Sequence, residues 1–212
     1  MSGALQAVFQ NQRSFVTVPT IGAAYGGGFF AGQISTSANG IATHNLVVGP
    51  VASAQNTSKK WKTTNSTTAG TTSVIDGPTN SSNMNNASHP AAQFCEGLSI
   101  GGFTDWYMPA KNELEVCYYN LKPTTASNDT SSGTNTNAVP SRGSKYTSGT
   151  PAQTSAADFK DTGAEDFDAV NYWSSTEASS SDAWFQNFGA SYQFYGYKII
   201  SRHVRAVRRV AV

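Results

Sequence analysis

The rhythm of apolar and polar positions divides this chain of 212 residues into segments of different kinds. Val16 and Val18 alternate with polar neighbours and stop at Pro19, so residues 1–20 read as an extended arm for attachment or assembly. AYGGGFFAGQI and IATHNLVVGP each carry an apolar run bounded by Gly or Pro, and together predict a two-stranded hairpin. Residues 52–86 are rich in Ser, Thr and Asn, with Trp61 as their one aromatic residue. A long loop pinned by that ring is expected there. Helical spacing occurs in two places. In SHPAAQFCEGLSIGG, Ala91, Phe94, Cys95 and Leu98 share a face. Ser88 or His89 starts that helix, Pro90 suits its first turn, and Gly101 and Gly102 lie beyond its end. In MPAKNELEVCYYNL, Pro109 opens the turn and Leu114, Cys117, Tyr118 and Leu121 share a face. GGFTDWYMP joins the two.

Of the 27 positions from 124 to 150, 19 are Ser, Thr, Asn or Gly. This insertion reads as a long surface loop, and one of that length is expected to be disordered, functional or pinned by a partner subunit. From Tyr172 onward YWSST, AWFQNF, YQFYGYKI and HVRAVRRV read as strands, separated by Ser, Gly and Asn clusters that suit hairpin loops. The layout is an α+β domain over residues 21–212, with two helices, short antiparallel strands and long irregular loops.

Composition narrows the picture. Charged residues make up 13% of the chain and the formal net charge is +1. That balance argues against a polyanion, nucleic acid included, as the main partner. Four Trp, nine Tyr and eleven Phe are enough rings to build a core. MSGALQAVFQNQRSF has no basic start and no long apolar run, so no secretory leader is expected, and synthesis in a cytoplasm is. No stretch of about 18 apolar residues exists to insert in a membrane. Cys95 and Cys117 do not make a disulfide framework, and neither CxxC nor HExxH occurs.

GGFTDWYMPAKNELEVCYYNL resembles the Gly-Gly-aromatic-x-Asp-Trp-x-x-Pro-x-Lys-x-Glu-Leu segment of the Lcl C-terminal domain family. YWSSTEASSSDAWFQNF is similar to that family's Tyr-Trp-Ser-Ser-Thr-Glu segment and the Ala-Trp strand after it. HVRAVRRV resembles its closing strand, and YGGGFFAGQI with HNLVVGP its opening hairpin. The resemblance runs over roughly 22–210. It implies a C-type-lectin-like fold related to that of the formylglycine-generating enzyme. It also implies a bacteriophage virion protein of tail-fibre or receptor-binding type, adhering to a host-surface glycan or protein. The expected setting is the virion, among other virion proteins and as a homotrimer. A capsid-decorating or head-fibre protein is the alternative, and an enzyme of the formylglycine-generating type a weaker one. The Glu-Pro-Asn and Trp-Asn-Asp triplets of calcium-dependent lectins are absent, so that chemistry is not carried over.

The chemistry-bearing residues point mostly to structure. Asp105 is expected to cap a turn while Trp106 fills the core. Glu113 and Glu115 lie two apart on a helix and read as a solvated face, with Glu113 tying the helix to a neighbouring loop. Cys95 and Cys117 read as buried free thiols, with a disulfide as the second reading. His44, His89 and His203 show no metal-ligand spacing, and Ser174 and Ser175 lack a motif that supplies a base. No catalytic residue, metal or cofactor is therefore expected. Lys198, Arg202, Arg205, Arg208 and Arg209 divide between two faces of a strand, some pairing with Asp166, Asp168 or Glu177.

Nine of the chain's aromatic residues fall within Asn171–Lys198. Trp173 and Trp184, with Trp106, are assigned to the core. Tyr192, Tyr195 and Tyr197, with Gln193 and Phe194 among them, straddle Gly189 and Gly196 in an expected hairpin. Rings among small polar residues have the make-up of a recognition surface, so Tyr192, Gln193, Tyr195 and Tyr197 are the candidate ligand-binding residues.

Overall fold

The computed structural model describes residues 17–212. The N-terminal arm expected over 1–20 therefore lies almost wholly outside the described residues. The elements in chain order are β1 (Ala24–Tyr25), β2 (Gly28–Ile34), β3 (His44–Val48), α1 (Val51–Ala54), β4 (Gln55–Lys60), α2 (Gly77–Ser82), α3 (Pro90–Glu96), α4 (Lys111–Leu121), β5 (Ala138–Val139), β6 (Asn171–Glu177), β7 (Asp182–Asn187), β8 (Gln193–Tyr197), β9 (Ser201–Arg205) and β10 (Val207–Ala211). This is a mixed α+β fold with two five-stranded sheets, one ordered β1-β2-β3-β10 with β5 on β2, the other β4-β9-β6-β7-β8.

The opening hairpin forms as its apolar runs predict, β2 pairing antiparallel with β3 in the register Phe29↔Val48. HVRAVRRV does not form one strand. It breaks at Ala206, so β9 joins the second sheet and β10 returns to pair with β3. The backbone of the fully buried Ala206 bonds to Ala54 and Gly49 instead of to a ladder partner. One short segment thereby stitches the two sheets together. α4 buries Leu114, Cys117, Tyr118 and Leu121 on the face that its spacing predicts. They meet Ile34, Leu46, Val48, Tyr172 and Phe188 in one apolar cluster, while Trp61, Cys95, Trp106, Trp173 and Phe185 belong to a second.

Residues 52–86 are not a plain loop. β4 pairs with β9, and Asp76 caps α2 by accepting from the Thr79 N–H at 3.3 Å. β4 escapes a reading by periodicity because Gln55–Lys60 is a polar edge strand with no apolar face to alternate. Trp61 does pin the segment: its ring is fully buried and its Nε1 donates to the Ser174 carbonyl at 2.9 Å.

The polar insertion at 124–150 is held by its own chain. Asn135 donates to the Asn112 carbonyl at 2.8 Å and to the Glu115 carboxylate, and accepts from the N–H groups of Asn137 and Ala138. Asn128 accepts from the buried Lys122 ammonium and from the Tyr118 hydroxyl. Short amides here do what apolar side chains do elsewhere: they satisfy a turn's backbone and tie it to a helix.

Candidate functional site

The charged motif residues resolve first, because they are internal wiring. Glu113 and Glu115 are fully buried, which corrects the expected solvated face. Glu113 accepts from Arg209 at 2.8 Å and from the Ala110 N–H at 2.8 Å, and Glu115 is paired with Arg142. Burial raises the Glu113 pKa, with the Arg209 guanidinium opposing the shift. Two residues apart on a helix, the carboxylates do face different ways. Each finds its own arginine from a distant segment, which local spacing does not register.

Asp105 does not cap a turn as expected. It receives both Nε and Nη2 of Arg208, at 2.7 and 2.9 Å. Arg205 donates to Glu165 and to the Glu165 and Asp166 carbonyls, while Lys198 is paired with Glu177. Four of the five tail basics, Lys198, Arg205, Arg208 and Arg209, thus bind acids of their own chain. Gly77 shows how tight this wiring is, since a Cβ there would stand 2.1 Å from Glu113 Oε2.

Cys95 and Cys117 are free and buried, and burial raises both thiols above their ordinary range. A nucleophilic cysteine needs the opposite setting. Ser174 donates its hydroxyl to the Trp184 carbonyl, and Ser175 receives the Asn80 amide at 3.4 Å. His203 faces Asp168 at 3.2 Å, and His89 contacts Thr68 and Asn86.

A different setting surrounds the β7–β8 hairpin. The register pairs Trp184 with Tyr195 and Phe185 with Phe194. Side chains alternate along a strand, so Trp184 and Phe185 lie on opposite faces, while Phe194 on the edge strand turns to stack on Tyr195. On the inner face Phe185 meets the fully buried Trp173. Trp106 is likewise buried. Trp184 is not a core residue. It is half-buried on the outer face, edge-on to Tyr195 with centroids 5.4 Å apart. Tyr192 is half-buried too, packed against Phe185, and so leaves the exposed cluster. Phe194, Tyr195 and Tyr197 remain exposed at 53%, 45% and 59%. Phe194 and Tyr195 stack at 4.7 Å with planes 8° apart.

Beside this face lies a cleft of about 170 Å³ lined by Lys111, Ser131, Ser132, Gly133, Thr134, Trp184 and Gln193. The Lys111 ammonium sits 4.1 Å from the Trp184 ring centroid, and burial lowers its pKa while Glu115 opposes the shift. Gln193 spends its amide N–H on the Lys111 carbonyl at 2.9 Å, and its backbone N–H on the Ser132 hydroxyl at 3.1 Å. It therefore builds the cleft wall. Ser191, fully buried with a φ of 66°, accepts from the Asp129 N–H at 2.5 Å. The insertion thus positions the hairpin. Lys111 and Trp184 are the site residues that sequence reasoning missed. The period of two in Ala183-Trp184-Phe185 already requires Trp184 and Phe185 to face apart.

The molecule is thus an α+β domain whose motif carboxylates are paired within the chain and whose strand β8 presents exposed rings. Its family is also clear. The model of the Lcl C-terminal domain matches residues 51–208, and the chain belongs to that family. The match begins after the opening hairpin of β2 and β3, which the sequence resemblance had included. No curated protein matches the chain.

Proposed function

We propose that the protein is a bacteriophage virion structural protein whose C-type-lectin-like domain adheres to a host surface through the β7–β8 hairpin. The observation that carries this reading is the exposed Tyr195, Tyr197 and Phe194 cluster, continuous with Trp184 and the Lys111 cleft. Rigid rings lose little conformational entropy on contact, and hydroxyls and amides beside them supply adaptable hydrogen bonds. Ring faces also suit the C–H faces of sugars, so a glycan or a protein epitope is the ligand class. The return of β10 to pair with the opening hairpin supports the C-type-lectin-like assignment. A homotrimer would raise weak single-site binding by avidity.

One observation favours the capsid-decoration alternative. β8 is an edge strand of its sheet, and an edge with exposed rings suits packing against a neighbouring virion protein. Two measurements separate the readings. Fluorescently labelled protein is applied to a panel of intact bacterial cells, and antibody-gold is applied to purified particles. Cell binding with label at tail tips supports adhesion. Label spread over the capsid, with no cell binding, replaces it with the decorating role.

A further inference from the structure

The fold treats its lysine ammonium groups in two ways. The three buried ones are spent inside the chain. Lys62 donates to the Ser66 and Thr67 carbonyls and the Thr68 hydroxyl, Lys122 to the Ala126 and Pro151 carbonyls and the Asn128 amide oxygen, and Lys198 is paired with Glu177. Half-buried Lys111 differs. Its backbone N–H donates to the Thr176 hydroxyl at 3.0 Å and its carbonyl accepts from Gln193. None of the six ion pairs among the described residues includes its ammonium, and residues 1–16 contain no Asp or Glu to supply a partner. The ammonium stands instead 4.1 Å from the Trp184 ring centroid, and both side chains belong to the cleft of about 170 Å³. A ring attracts the cation without neutralising it, so its N–H groups keep their capacity to donate.

The surroundings suit one small anionic group. The Ser132 hydroxyl accepts from the Gln193 N–H and so has its own proton left to donate. Lys111 is the sole cation in the lining. Ser131, also in the lining, donates to Asp129, and these bonds hold the Asp129 carboxyl below its ordinary range. Ionised, it opposes a second negative charge in the cleft. The wall is fixed in place, because a Cβ at Gly133, where φ is 113°, would stand 2.3 Å from the Tyr146 ring. Whole small ligands occupy about 300 Å³ or more, so this cleft takes one end of a larger molecule. The exposed Tyr195 ring, 5.4 Å from Trp184, continues the surface outward.

We propose that the Lys111 cleft binds the carboxylate of an acidic sugar at the end of a glycan chain. The ammonium takes one oxygen and the Ser132 hydroxyl the other, and the sugars that follow lie over the exposed rings. Two donors match a carboxylate better than a sulfate or phosphate, whose third oxygen has no second cation to meet. The glycan as source of the carboxylate rests on the adhesin reading. The chemistry of the cleft does not.

The test is an NMR titration of the full chain, following the Trp184 side-chain Nε1–H signal and the backbone amides of Ser132 and Thr134. The acidic probes are the methyl glycosides of glucuronate, galacturonate and N-acetylneuraminate. Beside them are methyl glucoside, glucose 6-sulfate and N-acetyl-L-glutamate amide. At least one acidic sugar is expected to shift all three signals saturably, with methyl glucoside at least about tenfold weaker, 1.4 kcal/mol per factor of ten. Lys111→Gln, which removes the charge, should weaken the acid's effect on the two backbone amides by a similar factor. Equal responses to acidic and neutral sugars, or no response to any of the three acids at millimolar concentration, overturn the proposal. Tighter binding of the sulfate removes the carboxylate, and tighter binding of the glutamate amide than of every sugar acid replaces the glycan with an acidic peptide. Comparing acidic with neutral sugars on the unmodified chain decides the matter without the variant. Cell binding measured with the acid present separates the two readings. Cell binding that a saturating acid leaves unchanged removes the cleft from adhesion and spares the adhesin reading. NMR shifts without any cell binding overturn the adhesin reading, and the host glycan with it, while the carboxylate site stands.

Discussion

The Asp105–Glu113 segment and the β7–β8 hairpin are built on opposite rules. In the first, acidic side chains receive arginines that lie about a hundred residues away in sequence, and Glu113 and Glu115 are wholly buried. In the second, the strand residues Gln193–Tyr197 carry no charge and three rings face solvent. The difference separates two meanings of a recognisable sequence. The motif that identifies the family is mostly the domain's internal ion-pair network. The surface proposed for recognition lies just beyond it, on residues that the network leaves alone.

Breaking the network is expected to have the largest effect. Glu113→Ala strands Arg209 and removes the acceptor of the Tyr107 hydroxyl. Losing one partner of a buried pair costs about 3–5 kcal/mol. Chemical denaturation should show that loss, and Glu113→Ala with Arg209→Ala together should cost less than the sum of the two alone. Next comes Asn135→Ala, which removes the amide that ties the insertion to α4. A destabilisation of about 2–3 kcal/mol is expected from the buried groups left unpaired. Because the insertion also holds Ser191 and Gln193, the NMR signals of β8 should shift, although Asn135 touches neither.

A third effect is read by pH. His89 is buried beside Trp61, and burial, helped by the Lys62 and Lys198 ammonium groups, lowers its pKa from 6.5 to about 4. Above pH 6.5 folded and unfolded chains both carry it neutral. As pH falls from 6.5 towards 4, only the unfolded chain takes up the proton, so stability falls. The expected loss over that window is on the order of 2–3 kcal/mol. His44 and His203 are shifted the same way, so comparison with His89→Gln isolates this contribution as the difference in slope.

How far the sequence was legible follows from the range of each interaction. α3 and α4 were readable because helical spacing is local, and Pro90 and Pro109 mark their starts. The β7–β8 hairpin was readable for the same reason. The ion pairs were not, since nothing near Asp105 points to Arg208. β4 was hidden because a polar edge strand has no apolar rhythm, and the break at Ala206 because an alanine between two arginine-bearing strands carries no turn signal. The insertion at 124–150 looked like a surface loop because its anchors are Asn and Ser, which also compose unanchored loops. Trp184 was misplaced by giving two adjacent rings one role. Alternation allows only one of Trp184 and Phe185 to face Trp173, and the register gives that place to Phe185.

The smallest expected effect on stability belongs to the hairpin. Trp184→Ala, Tyr195→Ala and Tyr197→Ala, made together, remove exposed or half-buried rings and should lower stability by only about 1 kcal/mol. The same variant tests whether the hairpin rings hold the host surface. Its binding to the panel of intact bacterial cells is measured beside the unmodified protein, with the melting temperature of each recorded. At least about a tenfold loss of binding is expected, a change of 1.4 kcal/mol, with melting temperatures within a few degrees. Undiminished binding by a folded triple variant would contradict it.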